Sequence, residues 1–297
     1  METTHSKRLQ LAINAASEVA KQQGLAFEQA IVLGDRSNVL LHLHPTSVVA
    51  RVATTTAIIR QGAAWLAREV AVSRYLVAAG APVIPPNTEI EPGPHQHQTK
   101  VLSFWEFVQE LDEPVDPHVA GRALRICHEA LKDFPGELPI LGGITEAERI
   151  LKKLTTEAVL HPSDADMLHR ISQRCNSRLK QLPMQPLHGD AHLDNVLNTN
   201  RGLLWGDWED TFMGPVGWDL ACLVASSRIF KTNTDKATAA FNGYEASIDG
   251  EQLDLCIEAR TFCALVWSII INQQHPHLET YKRIQTRLQW FRDRQKK

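Results

Sequence analysis

The spacing of apolar residues changes near Phe104, and that change limits the chain to folds that segregate strands from helices. Before it, a helix predicted over Ser6–Gln23 is followed by three short β-rich runs, Phe27–Leu33, Asn38–His42 and Ser47–Ala53. The turns between the runs hold Gly34-Asp35-Arg36-Ser37 and His44-Pro45-Thr46-Ser47, the spacing of antiparallel hairpins. A second helix is predicted over Ala57–Ala79, stopped by Gly80-Ala81-Pro82. Two more extended runs lie near Thr88–Glu91 and Thr99–Phe104, with a loop at Pro92–His97 that is mobile by composition. Trp105–Pro114 then reads as a connector. Helical periodicity dominates from Asp116: Asp116–Leu131, Thr145–Leu160, Ser163–Leu182, Val216–Ile229, Thr234–Ala246 and two more to the end. Short strands at Asn195–Asn198 and Gly202–Gly206 interrupt it. The expected class is α+β, with a strand-rich part at 1–104 and a helical part at 105–297.

The 297 residues suffice for two sizeable apolar cores, and a net charge of −3 does not suggest a nucleic-acid partner. The basic stretch Lys282–Lys297 reads as a solvated terminal helix, with an anion or partner site as the rival reading. The five cysteines are odd in number and lack a C-x-x-C pair, which argues against a disulfide framework or a zinc site and suits a reducing cytoplasm. The longest apolar run, Phe262–Ile271, is about half of what a membrane span needs. Neither a membrane nor a nucleic acid is expected as a partner, and oligomeric state is left open.

The stretch richest in chemistry is Leu187-His188-Gly189-Asp190-Ala191-His192-Leu193-Asp194-Asn195, followed by Trp205-Gly206-Asp207-Trp208-Glu209. Pro186 and Gly189 favour a tight loop that presents Asp190 and Asn195, and a short hairpin is expected to return Asp207 beside them. Two carboxylates and an amide oxygen are hard donors of the kind that hold Mg²⁺ together with substrate phosphates. They also supply what phosphoryl transfer requires: an oriented hydroxyl, a held metal and neutralised charge. A rival grouping is a metallohydrolase cluster of His188, Asp190, His192, Asp194 and Asp207, which leaves Asn195 and the N-terminal part without a role. Glu209 and Asp210 read as surface acids; facing a cleft, they would favour a cationic substrate. The pairs His42/His44, His95/His97 and His275/His277 read as solvent-facing.

The pattern H-G-D-x-x-x-x-N with a D-W-E after a hairpin resembles the aminoglycoside phosphotransferase family, a branch of the kinase-like fold. The later Gly214-Pro215-Val216-Gly217-Trp218-Asp219-Leu220-Ala221 is similar to a further block of that family. The resemblance implies a small antiparallel-sheet N-lobe, a helical C-lobe and MgATP or MgGTP in the cleft. It makes Asp190 the catalytic base and Asn195 and Asp207 the Mg²⁺ ligands. It also has Asp219 brace the catalytic loop, although by position Asp219 reads first as a helix cap.

The N-terminal part fits this resemblance. Arg51, the charged residue of the run Val48-Val49-Ala50-Arg51-Val52, stands where the family pattern has lysine, and arginine can grip phosphate oxygens bidentately. Glu69 lies on an apolar helical face with Trp65, Val72 and Leu76 and is its expected partner, with a surface pairing to Arg68 or Ser73 as the rival. Ser37 and Asn38 are placed near the phosphates, in a loop with a single glycine. By resemblance, adenine hydrogen-bonds the backbone of Glu106 and Val108 in the connector.

The expected activity is ATP-dependent transfer of the γ-phosphate to a hydroxyl of a small molecule, with aminoglycoside, amino-alcohol, sugar and homoserine-like acceptors open. The alternative is a degenerate nucleotide-binding regulator. Only Trp208–Val216 separates Asp207 from the next helix, too little platform for a peptide acceptor.

Overall fold

A computed structural model describes residues 2–35 and 37–296. Arg36, expected in the first hairpin turn, and Lys297, expected in the terminal basic stretch, lie outside the described residues. By its contacts the chain forms two compact units, Met1–Pro114 with Leu197–Glu209, and Val115–Val196 with Asp210–Lys297. This division departs from the expected 104/105 boundary. Backbone pairing is the cause: Leu111 donates to the Asn198 carbonyl and Asn200 to that of Gln109, joining connector and later hairpin to the first unit.

The first unit opens with α1 (Glu2–Gln22) and a five-stranded antiparallel sheet in the order β1 (Gln29–Asp35), β2 (Asn38–His44), β3 (Val48–Ala53), β5 (Lys100–Glu106), β4 (His95–His97). Small residues of α1 (Ala12, Ala15, Ala16 and Ala20) let it lie close on the sheet, against Leu41, Leu43, Ala50, Val52, Leu102 and Phe104. The opposite face meets α2 (Ala64–Ala78) through Val49, Ala53, Val70 and Trp105. Every residue of β3 is therefore buried, and the period of two sends Arg51 to the α2 side. The hairpin of β7 (Val196–Thr199) and β8 (Gly202–Trp205) joins this unit through a parallel bridge between Val83 and Trp205.

Several local expectations fail here. The helix predicted over 57–79 begins as a 3-10 turn at Thr56–Ile58 and breaks before Ala64, because Gly62 adopts φ +74°. The run Thr88–Glu91 is not a strand: the Asn87 side chain accepts from the amides of Glu89 and Ile90 and holds a turn. The loop expected at Pro92–His97 instead supplies β4, and β5 extends through Glu106 into the expected connector. His42 is buried, its ring stacked on Phe107 at 4.0 Å between centroids, so it does not face solvent.

The second unit is built on helices: α3 (Pro117–Leu131), α4 (Gly142–Thr156), α5 (Pro162–Leu179), α6 (Gly217–Phe230), α7 (Thr234–Tyr244), α8 (Gly250–Gln274) and α9 (Leu278–Arg294). Asp116 caps α3 by accepting from the His118 and Val119 amides, with Pro117 in the first turn. Helices α3 and α7 approach backbone to backbone; a Cβ on Gly121 would stand 1.9 Å from the Ala240 carbonyl oxygen. α8 is apolar nearly all round, as suits a central helix packed against α4, α5, α6 and α9. A two-stranded sheet of β6 (Gln185–Leu187) and β9 (Phe212–Gly214) flanks the motif stretch. All five cysteines are buried and free. Among the described residues no helix is long and apolar enough to cross a membrane.

Candidate active site residues

In the first unit the alternation along β3 aims Arg51 at α2, where the apolar face carries one carboxylate, Glu69. Arg51 Nη1 donates to Glu69, and Nη2 donates to Asp207 Oδ1 and, at 2.6 Å, to Glu209 Oε2. The Asn38 amide, oriented by its hydrogen bonds, turns its oxygen to Arg51 Nε at 3.2 Å and Nη2 at 2.7 Å and its nitrogen to Thr56 Oγ1. Burial alone would pull the Arg51 guanidinium down; Asp207, Glu209 and Glu69 together hold it above its ordinary value. Glu69 thus points into the interior rather than pairing at the surface. Glu209 is likewise no surface acid: it is 4% exposed, accepts also from Arg60 Nη1 at 3.1 Å, and its carbonyl accepts from Arg68.

Asp207 follows β8 in the left-handed region, φ +63°, a conformation that non-glycine residues seldom adopt. Its side chain is 38% exposed, against 1% for Glu69 and 6% for Glu209. It is therefore the carboxylate of this group that a cation from solvent can reach, and its oxygens are the hard donors Mg²⁺ takes. Ser37 contributes its backbone: its carbonyl accepts from Thr55 N and Thr54 Oγ1, tying the β1–β2 turn to the end of β3. Glu106 ends β5, its amide already donated to Pro85 and its carboxylate paired with Arg201; Val108 follows outside any strand.

In the second unit the segment after β6 is fixed from behind by Asp219. Its Oδ2 accepts from the His188 amide at 2.8 Å and from His128 Nε2 at 2.9 Å, and its Oδ1 from the Gly189 amide at 2.9 Å. With Nε2 donating to Asp219, His128 turns Nδ1 to the Tyr244 hydroxyl, 2.7 Å away. Asp219 therefore braces this loop and makes no side-chain cap, although it sits in the first turn of α6. Trp218 Nε1 adds a bond to the Gly189 carbonyl at 2.9 Å. Gly189 is required twice over: its φ is +88°, and a Cβ would lie 2.1 Å from the Asp210 carbonyl oxygen.

The braced loop presents Asp190. Oδ1 accepts from Arg260 Nη2 and Oδ2 lies 3.3 Å from His192 Nε2. Burial would raise the Asp190 carboxyl; Arg260 first, then His192 and His188, outweigh it and hold it well below the usual carboxylate range. His192 is raised from its ordinary value, Asp190 overcoming the effect of burial. Asn195, in a 3-10 turn, donates Nδ2 to the Asp190 carbonyl at 2.9 Å, so its Oδ1 is not used in that bond, and an amide oxygen is a hard donor of the kind Mg²⁺ takes. Among the described residues no three or more His, Cys, Asp or Glu are grouped to hold a metal ion. Sequence reasoning missed Arg260, although a signal existed: it is the one Lys or Arg in the 25 residues of α8.

A profile described as the APH phosphotransferase enzyme family matches residues 31–255, three quarters of the chain. No curated protein sequence matches. Among solved structures the chain is similar to an amicoumacin kinase in complex with AMP-PNP, Ca²⁺ and its ligand (15% identity, TM-score 0.73, 97% of this chain and 96% of that one). It is also similar to the choline kinase LicA of Streptococcus pneumoniae (14%, 0.66, 94% and 99%) and to a choline/ethanolamine kinase family protein of Mesorhizobium loti (18%, 0.63, 94% and 94%). At such identities the structures establish a shared fold. With the profile spanning most of both units, the chain belongs to the APH phosphotransferase enzyme family.

Proposed function

We propose that the protein is an ATP-dependent kinase that transfers the γ-phosphate to a hydroxyl of a small molecule. The observation that carries this reading is the Arg51 cluster: one guanidinium on β3 held by Glu69 of α2 and by Asp207 after β8, in a chain of this family. Mg²⁺, when bound, would neutralise phosphate charge as the bond to the leaving group breaks. Asp207 and Asn195 are the residues to hold it. Arg51, released from a carboxylate, grips phosphate oxygens with its fork of donors. Ser37 and Asn38 line the phosphates, and the Glu106 carbonyl and Val108 amide receive the adenine edge. Asp190 accepts a hydrogen bond from the acceptor hydroxyl and orients it. Positioning and charge supply most of the acceleration in such a reaction.

A nucleotide-binding regulator is the second reading, favoured by Arg51 in the lysine position and tied to three carboxylates. The test is thermal denaturation with and without MgATP or MgGTP, followed by phosphate transfer over a panel of hydroxyl compounds. A nucleotide at about a hundred times its Kd adds roughly 2.7 kcal/mol. A Tm rise that Asp207→Ala abolishes, with transfer lost in Asp190→Ala, is the expected result. A rise without transfer to any hydroxyl favours the regulator. No rise with either nucleotide overturns both.

A further inference from the structure

In the second unit, Arg260 on α8 and Arg283 and Arg287 on α9 pack against α6. Arg260 on α8 pairs with Asp190 and directs Nε to Cys222 Sγ at 3.1 Å on α6. Asp210 also bears on Arg260 electrostatically, so its charge is balanced. Arg283 and Arg287 lie one turn apart on α9. Their guanidinium carbons lie 4.7 and 5.0 Å from the centroid of the Phe230 ring at the end of α6. Arg287 Nη1 donates to Ser268 Oγ of α8 at 3.1 Å, a neutral partner. Among the described residues neither Arg283 nor Arg287 has a carboxylate within ion-pair distance. Burial, Arg283 and Arg260 pull the Arg287 guanidinium down to about 10. A partly buried cation whose charged neighbours are all cations is unfavourable unless an anion completes it. Two of the three carboxylates of α8 face other partners: Asp254 binds Arg228, and Glu258 binds Arg174.

We propose that Arg283 and Arg287, with Arg260 behind them, form the acceptor-recognition site of this protein, and that its acceptor is a small hydroxylated anion. The proposal rests on the kinase reading and assigns its substrate class. The anionic group is a carboxylate or a phosphate, both of which match the guanidinium fork. Eight residues of α8 separate Arg260 from Ser268, about 12 Å of helix rise. The reacting hydroxyl at Asp190 and the anionic group thus belong to opposite ends of the acceptor. The same charges repel polycationic aminoglycosides and quaternary amino alcohols, and the Phe230 face that would receive a quaternary ammonium is already covered by two guanidiniums.

The experiment is ADP release with MgATP and equal concentrations of gluconate, glucose 6-phosphate, glucose, choline and kanamycin, in the wild type, Arg287→Met and Arg287→Lys. Thermal shifts with each acceptor alone and with MgATP alone run alongside. The expected result is turnover and a thermal shift with gluconate or glucose 6-phosphate, and which of the two responds distinguishes carboxylate from phosphate. Arg287→Met should raise KM for that acceptor at least tenfold with kcat within about threefold and KM for ATP unchanged. Arg287→Lys should recover part of the loss. Preferred turnover of glucose, choline or kanamycin, or an acceptor KM that Arg287→Met leaves unchanged, overturns the proposal and leaves the kinase reading standing. So does a MgATP shift with no response to either anion. Loss of the MgATP shift itself in the wild type overturns the kinase reading.

Discussion

Replacing Asp219 by alanine tests how the loop at His188–Asp190 is held. The carboxylate is fully buried and accepts three hydrogen bonds, from the His188 amide, the Gly189 amide and His128 Nε2. Alanine leaves two buried backbone N–H groups without an acceptor, at about 1–3 kcal/mol each. The His128 bond goes as well, and because the three act together the whole loss is about 3–5 kcal/mol. At about 2–4 °C per kcal/mol for a chain of this size, Tm should fall by about 6–20 °C. Asparagine should cost less, about 1–3 kcal/mol. Its oxygen can occupy the Oδ2 position, which serves His188 and His128, leaving an NH₂ facing the Gly189 amide alone. Urea denaturation measures both variants, and hydrogen exchange locates the effect: the His188 and Gly189 amides should exchange far faster in Asp219→Ala. A loss under about 1 kcal/mol, or unchanged protection at those two amides, would refute the brace and return Asp219 to a helix-terminal role.

Arg51→Met removes the charge on which Glu69, Asp207 and Glu209 converge, two of them almost wholly buried. It should cost about 3–5 kcal/mol in urea denaturation, and a loss under about 1 kcal/mol would mean that the cluster is neutral without Arg51. Arg287→Met has the opposite sign: a guanidinium pulled down to about 10 by burial and by Arg283 and Arg260 carries a cost on the order of 1–3 kcal/mol. The variant should be more stable than the wild type by about 1 kcal/mol or more, offset in part by the lost Ser268 bond, and a lower Tm would show that Arg287 is already compensated. Burial pushes the Cys175 and Cys256 thiols up to about 12; at pH 8 their thiolate fraction is about one in ten thousand, so neither should react with iodoacetamide until urea unfolds the chain. Rapid labelling of either in the native protein would contradict the packing.

The segregation of strands and helices was legible because β2, β3 and β5 are short β-rich runs bounded by turn residues, whereas the helices of the second unit repeat their apolar residues at a period near 3.6. The pairing of Arg51 with Glu69 could be anticipated for a similar reason. Each is a lone charge on an otherwise apolar face, and the two elements follow one another in the chain. The failures share a cause, which is dependence on distant residues. Strands β4, β6 and β9 have three residues each, too few for a pattern, and exist because β5, or one another, stand alongside. Glu209 looks like any surface acid until Arg51 and Arg60, 158 and 149 residues away, enclose it. The same holds for Arg260, whose partner lies 70 residues earlier. The division of the chain was hidden because Leu197–Glu209 joins the first unit by backbone bonds that carry no side-chain signature.

The pairing of Asp190 with Arg260 bears on what an aspartate in this position can do. A carboxyl held well below the usual range by Arg260 and His192 stays ionised through ordinary pH and has little affinity for a proton. That is a poor base for removing a hydroxyl proton before attack. It is compatible with a loose phosphoryl-transfer transition state, in which the bond to the leaving group is largely broken while the nucleophile still holds its proton. In such a reaction the carboxylate serves by fixing the direction of the hydroxyl, and its proton affinity contributes little to the rate. The position of Asp190 then matters more than its basicity. The structure spends its interactions on position: a glycine that tolerates no Cβ, a tryptophan on the Gly189 carbonyl, a buried aspartate behind two successive amides, and an arginine on the carboxylate itself. Arg260 belongs with the other three by this reasoning, since it both lowers the basicity of Asp190 and fixes its rotamer, and the proposed reaction tolerates the first effect while requiring the second.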